Sequence, residues 1–389
     1  IFLIMNSKLF NASCFALVTT AMTFAVRAKI ELVFNNDYGL TLEQVGIAFG
    51  PAFYGFTLAM IIGGFMVDLF GMKKIMNLAF AGHLLGIVLT LLARDFWMLF
   101  LGTLLIGIGN GMVEAACNPL IATLYPKEKT KMLNRFHVWF PGGIVIGSIL
   151  AYLIVDLMGL SWMVLVGTLF IPLIIYIIQF RGQEFPPTER VSSGVTYEDM
   201  LKACFANPLF WFIGFCMLLT ASTELATTQR ISSLLEQTVS NPILVLAFIN
   251  GIMMVGRLFA GDIVHRLSIT KMLLFSAVFS FLGLLWLSTA TGMTSFLAAA
   301  VFAIGVCYFW PTMLSFVAEK IPSSGALGLS LMGGLGMFSV SIVLWGMGLV
   351  MDMDATGSDT LYIMALLPAI LIVLFGARLL VEMKSAKSV

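Results

Sequence analysis

Charge is what this chain has least of. Asp, Glu, Lys and Arg make up 11% of its 389 residues, less than half of the roughly 25% usual in a soluble domain. Sixty per cent of the residues are apolar, and a water-soluble fold of this length has too little interior to hide them. The solvent must therefore be lipid. The 20 acids and 21 Lys and Arg nearly cancel, which removes the electrostatic basis for binding nucleic acid. Histidine is scarce: only His83, His137 and His265 are present, and none adjoins a nucleophile or a metal-ligand set, so neither an enzymatic constellation nor a metal site is expected. The five cysteines (Cys14, Cys117, Cys204, Cys216, Cys307) lie in or beside apolar segments without metal spacing or a disulfide partner. They are read as small packing residues. No glycine-rich nucleotide-phosphate loop and no cofactor motif stands out.

What is present is a series of long apolar stretches. A bilayer core takes about 20 residues of helix, more when tilted. That length predicts twelve spans, near 9–33, 43–67, 74–93, 96–124, 132–157, 161–180, 207–233, 242–265, 271–291, 293–319, 325–351 and 360–382. The first is too long for a signal-peptide core and shows no cleavage site, so it is read as a span. The one long polar interval, Arg181 to Lys202, contains Pro186-Pro187 and Ser192-Ser193-Gly194 and divides six spans from six. The expected organisation is an N-terminal half over 1–182, a linker over 183–204 and a C-terminal half over 205–389.

Charge placement orients the spans. Lys73, Lys74, Lys127, Lys129, Lys131, Arg135, Arg181, Arg190, Lys202, Arg266, Lys271, Lys320, Lys384 and Lys387 fall in one set of loops. Mainly acids occupy the other: Asp37, Glu43, Asp95, Asp156, Glu236, Asp352, Asp354 and Asp359, with Arg94 as the chief basic exception. Basic loops stay in the cytoplasm, so both termini and the linker are expected there. The halves also echo each other. Asp68 and Asp262, Pro119 and Pro311, and Asp156 and Asp352 stand at offsets of 194, 192 and 196 residues. This indicates a duplicated six-helix unit. Parallel repeats of this kind are how major facilitator transporters are built, with substrate held near the midplane between the halves.

The segment Gly64-xxx-Asp68-xx-Gly71-x-Lys73-Lys74 resembles the major facilitator signature between helices 2 and 3. Its glycines let helices approach closely. Asp68 with Lys73 and Lys74 would form a breakable charge network suited to a gate; the alternative is that the lysines only anchor the span. Gly256-Arg257-xxx-Gly261-Asp262-xxx-Arg266 echoes it, which adds Arg257, Asp262 and Arg266 to the gating candidates.

Glu114 is the most informative residue. A carboxyl group midway along a membrane helix is costly and marks function by default. Asn118 lies one turn on, on the same helix face, and Pro119 frees a backbone carbonyl. The run Glu114-xxx-Asn118-Pro119 followed by Leu133-Asn134-xx-His137-xx-Phe140-xx-Gly143-xxx-Gly147 resembles the fucose–proton symporter family, which also holds glucose and galactose transporters. That resemblance covers about forty residues. It implies a major facilitator fold, a sugar carried with a proton, Glu114 as the proton-coupling group, and a polar cavity position at His137. The plain structural alternatives are a helix–helix hydrogen bond for Glu114 and a packing or gate contact for His137.

The chain departs from the family in helix 1, where an expected aspartate is missing and Ala25-Val-Arg27-Ala-Lys29-Ile-Glu31 stands instead. Arg27 can pair with Glu31, one turn away, or with Glu224 of the helix-7 run Glu224-xxxx-Gln229-Arg230, forming an outward gate or part of the binding site. Two arginines, Arg27 and Arg230, also suit an organophosphate or sugar-acid anion; the nearby glutamates oppose that reading. Trp139, Phe140, Tyr308, Phe309 and Trp310 are candidates to stack on a sugar ring, and Asn250 is a further hydrogen-bonding group. The expectation is an all-α membrane protein of twelve helices in the major facilitator fold. It would be monomeric, lie in a plasma membrane of bacterial inner-membrane type, and move a sugar or organic anion on a proton or sodium gradient.

Overall fold

A computed structural model describes residues 2–40, 42–239, 242–352 and 355–387 of the chain. The side chains of Glu31, Asp37, Glu43, His265, Asp352, Asp354 and Lys387, which enter the sequence reading, lie outside the described residues. Apolar runs in lipid must satisfy every backbone N–H and C=O internally, so they form helices. The spans are α1 (Ser7–Ile30), α2 (Ile47–Phe70), α3 (Met72–Leu92), α4 (Phe96–Leu124), α5 (Lys129–Leu157) and α6 (Trp162–Phe180) in the first half. The second half contributes α7 (Pro208–Leu234), α8 (Pro242–Leu258), α9 (Ile269–Leu287), α10 (Met293–Lys320), α11 (Pro322–Met351) and α12 (Gly357–Lys384). Among the described residues, eleven of these are long and apolar enough to cross a membrane. The exception is α8, which breaks at Phe259 and resumes as Ala260–Arg266, so the expected span 242–265 arrives in two pieces. Helix α1 is part of a longer helix, Phe2–Tyr38, than the expected 9–33.

Large apolar side chains point outward along the spans, among them Leu69, Trp97, Ile178, Trp345 and Val373, as expected where the surrounding medium is hydrocarbon. Two close approaches depend on glycine. A Cβ on Gly143 would lie 2.6 Å from Ala21 Cβ, and one on Gly147 2.7 Å from Ala25 Cβ, so the predicted Gly143-xxx-Gly147 stripe seats α5 directly on α1. A Cβ on Gly64 would meet Ser330 Cβ at 2.4 Å, where α2 of one half packs on α11 of the other. The halves also meet through α5 against α8 and α10.

Prolines interrupt three helices at useful places. A proline lacks an N–H and leaves the carbonyl four residues before it without its helical partner. Helix α5 turns at Val138 ahead of Pro141, α6 at Thr168–Leu169 ahead of Pro172, and α10 at Cys307–Tyr308 ahead of Pro311. Helix α7 carries a π-helical turn over Ser222–Ala226, a local irregularity often found at functional sites. Glu224 is in that turn.

Candidate functional site

The irregular turns of α5, α7 and α10 face one another across a small, tight cavity between the halves. Glu114, His137, Glu224 and Arg257 form its polar wall, and Phe24, Phe56, Phe140 and Trp310 much of its apolar wall. All eight are buried.

On the N-terminal side, Asn118 Nδ2 donates to Glu114 Oε2 at 2.6 Å. His137 Nε2, carrying the proton in this tautomer, donates to Asn118 Oδ1 at 3.1 Å and lies 3.8 Å from Glu114 Oε2. Asn118 thus spans Glu114 and His137, with one hydrogen bond at each end of its amide. Among the described residues Glu114 Oε1 takes no hydrogen bond from the protein. A carboxyl group on the cavity wall with one open oxygen can bind either a proton or a hydroxyl donor.

On the other side, Arg257 Nη2 donates to Glu224 Oε1 at 2.7 Å, and both side chains are 1% exposed. The second oxygen of Glu224 accepts the backbone N–H of Trp310 at 3.2 Å, a donor released by the turn in α10. Arg257 Nε donates to the Cys307 carbonyl at 2.7 Å and Nη1 to the His137 carbonyl at 2.9 Å. Those carbonyls stand four residues before Pro311 and Pro141, so each has lost its helical donor to a proline. Two prolines therefore create two acceptors, and one guanidinium fork fills both. The His137 bond ties the C-terminal half to the N-terminal half.

The structure brings together Glu114, Asn118, His137, Glu224 and Trp310 as cavity or cavity-adjacent groups. Several expectations are corrected. Glu224 is engaged by Arg257; Arg27 donates instead to Gln229 Oε1 at 2.7 Å, joining α1 to α7 at the ends away from the linker, and stacks on Phe24 and Phe53. Glu31, its other expected partner, has its side chain outside the described residues. Lys29 pairs with Asp156 at 2.5 Å. Arg230 is half-buried and absent from the cavity wall, because it follows Gln229 onto the next helical position. Trp139 is 42% exposed on the outer face of α5, since a residue two positions from His137 points nearly opposite it on a helix. Asn250 Nδ2 is spent on the Leu246 carbonyl of its own helix. Tyr308 is buried but turns its hydroxyl to the Gly256 carbonyl at 3.0 Å.

The gating set is rearranged too. Asp68 pairs with Arg190 Nε at 2.5 Å and accepts from Thr188 Oγ1 at 2.5 Å, both in the linker. Lys73 donates to the Gln183 carbonyl and Lys74 lies over the Phe70 ring, so neither neutralises Asp68. Asp262 and Arg266 are exposed, with no ion pair among the described residues. Arg257, expected at a gate, is the cavity arginine. The linker itself carries a short helix, Glu189–Ser193. Glu189 holds Lys129 of α5 at 2.7 Å, and Lys129 also reaches the Ala318 carbonyl of α10 at 3.2 Å. Thr130 of α5 is hydrogen-bonded to Glu319. The linker side of the cavity is closed in this conformation.

Two features were not read from the sequence: Arg257 as a cavity residue and Gln229 as a partner of Arg27. The signal for Arg257 existed: it is an ionisable residue flanked by apolar ones inside the 242–265 run, and such residues face the bundle interior.

Two six-helix halves around a cavity lined by buried ionisable and aromatic side chains are the architecture of membrane transport proteins with parallel repeats. The chain belongs to the Major Facilitator Superfamily, whose family model matches residues 9–344. The fold is similar to that of the Escherichia coli fucose:proton symporter FucP (TM-score 0.76, 16% identity, covering 97% of this chain and 99% of that one). It is also similar to the proton:xylose symporter XylE bound to 6-bromo-6-deoxy-D-glucose (TM-score 0.74, 13% identity, 96% and 94% covered). In sequence, the chain is 26% identical over 227 residues to a probable anion transporter 6, chloroplastic, of Arabidopsis thaliana. That match spans 52% of this chain and 43% of the relative's length.

Proposed function

We propose that this chain is a secondary active transporter that carries a small polar solute, a sugar in the first instance, by alternating access, and that a proton on Glu114 couples solute movement to the gradient. The observation that carries this reading is the open Glu114 Oε1 on the wall of an enclosed cavity between the halves. Phe24, Phe56, Phe140 and Trp310 offer faces for a sugar ring, while Glu114 and the remaining donors of Arg257 offer partners for its hydroxyls. Glu224 and Arg257 neutralise each other, so a neutral solute leaves no charge unbalanced there.

Arg257 and the anion-transporter relative favour a second reading, in which the cargo is a sugar acid or another organic anion. In that reading Arg257 takes the role expected of Arg27 and Arg230. The basic loops support cytoplasmic termini and linker, with residues 1–182 and 205–389 as the moving halves of a monomer in a bacterial inner membrane.

The test is uptake into proteoliposomes of a panel of neutral sugars and sugar acids, with and without a pH gradient. Wild type is expected to accumulate a neutral sugar when a proton gradient is imposed, and Glu114→Gln to exchange it without accumulating it. Accumulation by Glu114→Gln refutes the coupling role. Uptake that follows sodium at fixed pH replaces the proton with sodium, and uptake of sugar acids alone selects the second reading.

A further inference from the structure

Glu114 is one of two carboxyl groups on the cavity wall, and the coupling reading leaves the other, Glu224, without a task. We infer that Glu224 is a second proton-binding group, and that Arg257 is the positioning residue through which its charge holds the two halves together. The inference rests on the alternating-access reading above and adds to it a switch in the C-terminal half.

The connection is short. Glu224 Oε1 fixes Arg257 Nη2 at 2.7 Å, and the same guanidinium presents Nη1 to the His137 carbonyl of the opposite half at 2.9 Å. A guanidinium is planar and rigid, so fixing one nitrogen fixes the direction of the others. The charged carboxylate therefore aims the donor that closes the interface between α5 and α8. When a proton binds Glu224, the ion pair is lost, the Trp310 N–H faces a weaker acceptor, and the fork is free to leave the His137 carbonyl. That carbonyl is available to Arg257 at all because Pro141 supplies no competing N–H.

The titratable and charged groups around Glu224 are few. Helix α8 brings Arg257, α10 brings Cys307 and Tyr308, and Glu114 of α4 and His137 of α5 line the same cavity. Among the described residues, α1 brings Arg27, bonded to Gln229, and α11 brings the Ser339 hydroxyl, bonded to Ser222, and no charged group. Helix α12, also packed on the π-helical turn, has Asp359 bonded to Thr356 and Arg378 paired with Glu382, with Lys384 beyond them. A proton taken up at Glu224 thus acts chiefly on Arg257.

The experiment measures the distance between spin labels at Lys127 and Lys320, both exposed beside the linker-side ends of α5 and α10, in the full chain reconstituted without substrate. In wild type the longer, open distances are expected to gain population as pH falls from about 8 to about 5. Glu224→Gln should show the acid distribution at every pH. Pro141→Ala, which returns an N–H to compete for the His137 carbonyl and removes no charge, should shift the population toward open while keeping its pH response. Because Pro141→Ala keeps the ion pair, it tests the tie even where Glu224→Gln folds poorly. A wild-type pH response in Glu224→Gln, or a wild-type distance distribution in Pro141→Ala, overturns the inference. Substrate is absent throughout, so a failure of sugar accumulation refutes the transport reading and leaves this switch standing.

Discussion

Replacing Arg257 by methionine should be among the most damaging single changes in the molecule, and a second change should undo most of the damage. The Arg257–Glu224 contact is 2.7 Å long, with both side chains 1% exposed. At an effective dielectric of about 20, two unit charges at that separation attract by about 6 kcal/mol before desolvation is counted. Methionine keeps the apolar stem but leaves Glu224 buried with only the Trp310 N–H, and leaves the Cys307 and His137 carbonyls without donors. Breaking a buried pair from one side costs about 3–5 kcal/mol. Removing both charges together, in Arg257→Met with Glu224→Met, should bring stability to within about 1–2 kcal/mol of wild type, because the stranded carboxylate is gone. The assay is unfolding of the purified protein in mixed micelles titrated with SDS, run as a double-mutant cycle. Neighbouring groups in one network should then show a coupling energy of about 3 kcal/mol. If the double variant is as unstable as the two single losses added together, the pair does not behave as one unit and the reasoning fails.

Two further tests bear on packing and on cargo. Gly64→Ala places a Cβ 2.4 Å from that of Ser330; it should lower stability by about 1–3 kcal/mol, as overpacking does, and adding Ser330→Gly should restore it in the same titration. Trp310→Ala should raise the KM for the accepted sugar up to about tenfold through loss of a stacking face, while Trp139→Ala, facing outward, should leave KM within about twofold; the reverse order would misplace the cavity.

The spans and the Glu114–Asn118–His137 group were legible because each depends on local rules: the length of an apolar run, the side-by-side position of residues four apart, and the cost of a charge in hydrocarbon. Partner choice was not legible. Asp68 stands five and six residues before Lys73 and Lys74, yet its partner is Arg190, 122 residues away, because the linker folds back onto α2. Arg257 resembled a gate residue by its spacing to Asp262, but the helix breaks at Phe259 between them, leaving Arg257 in the last turn before the break and on the cavity wall while Asp262 is exposed. Its carbonyl partners were hidden for a simpler reason: they belong to the backbone, and only the prolines at 141 and 311 betray them. Trp139 was misjudged because aromatic character says nothing about which side of a helix a residue occupies.

The short linker helix has a mechanical consequence. Through Arg190 it is fastened to Asp68 of α2, through Glu189 to Lys129 of α5, and Arg190 also rests against Gly325 at the start of α11. A slack tether would let the halves turn without regard to it. This one is fastened to both halves at once, so any separation of them on the linker side would have to break its contacts with at least one. Three consecutive residues, 188 to 190, thus hold the linker to α2 and α5 while one of them also touches α11.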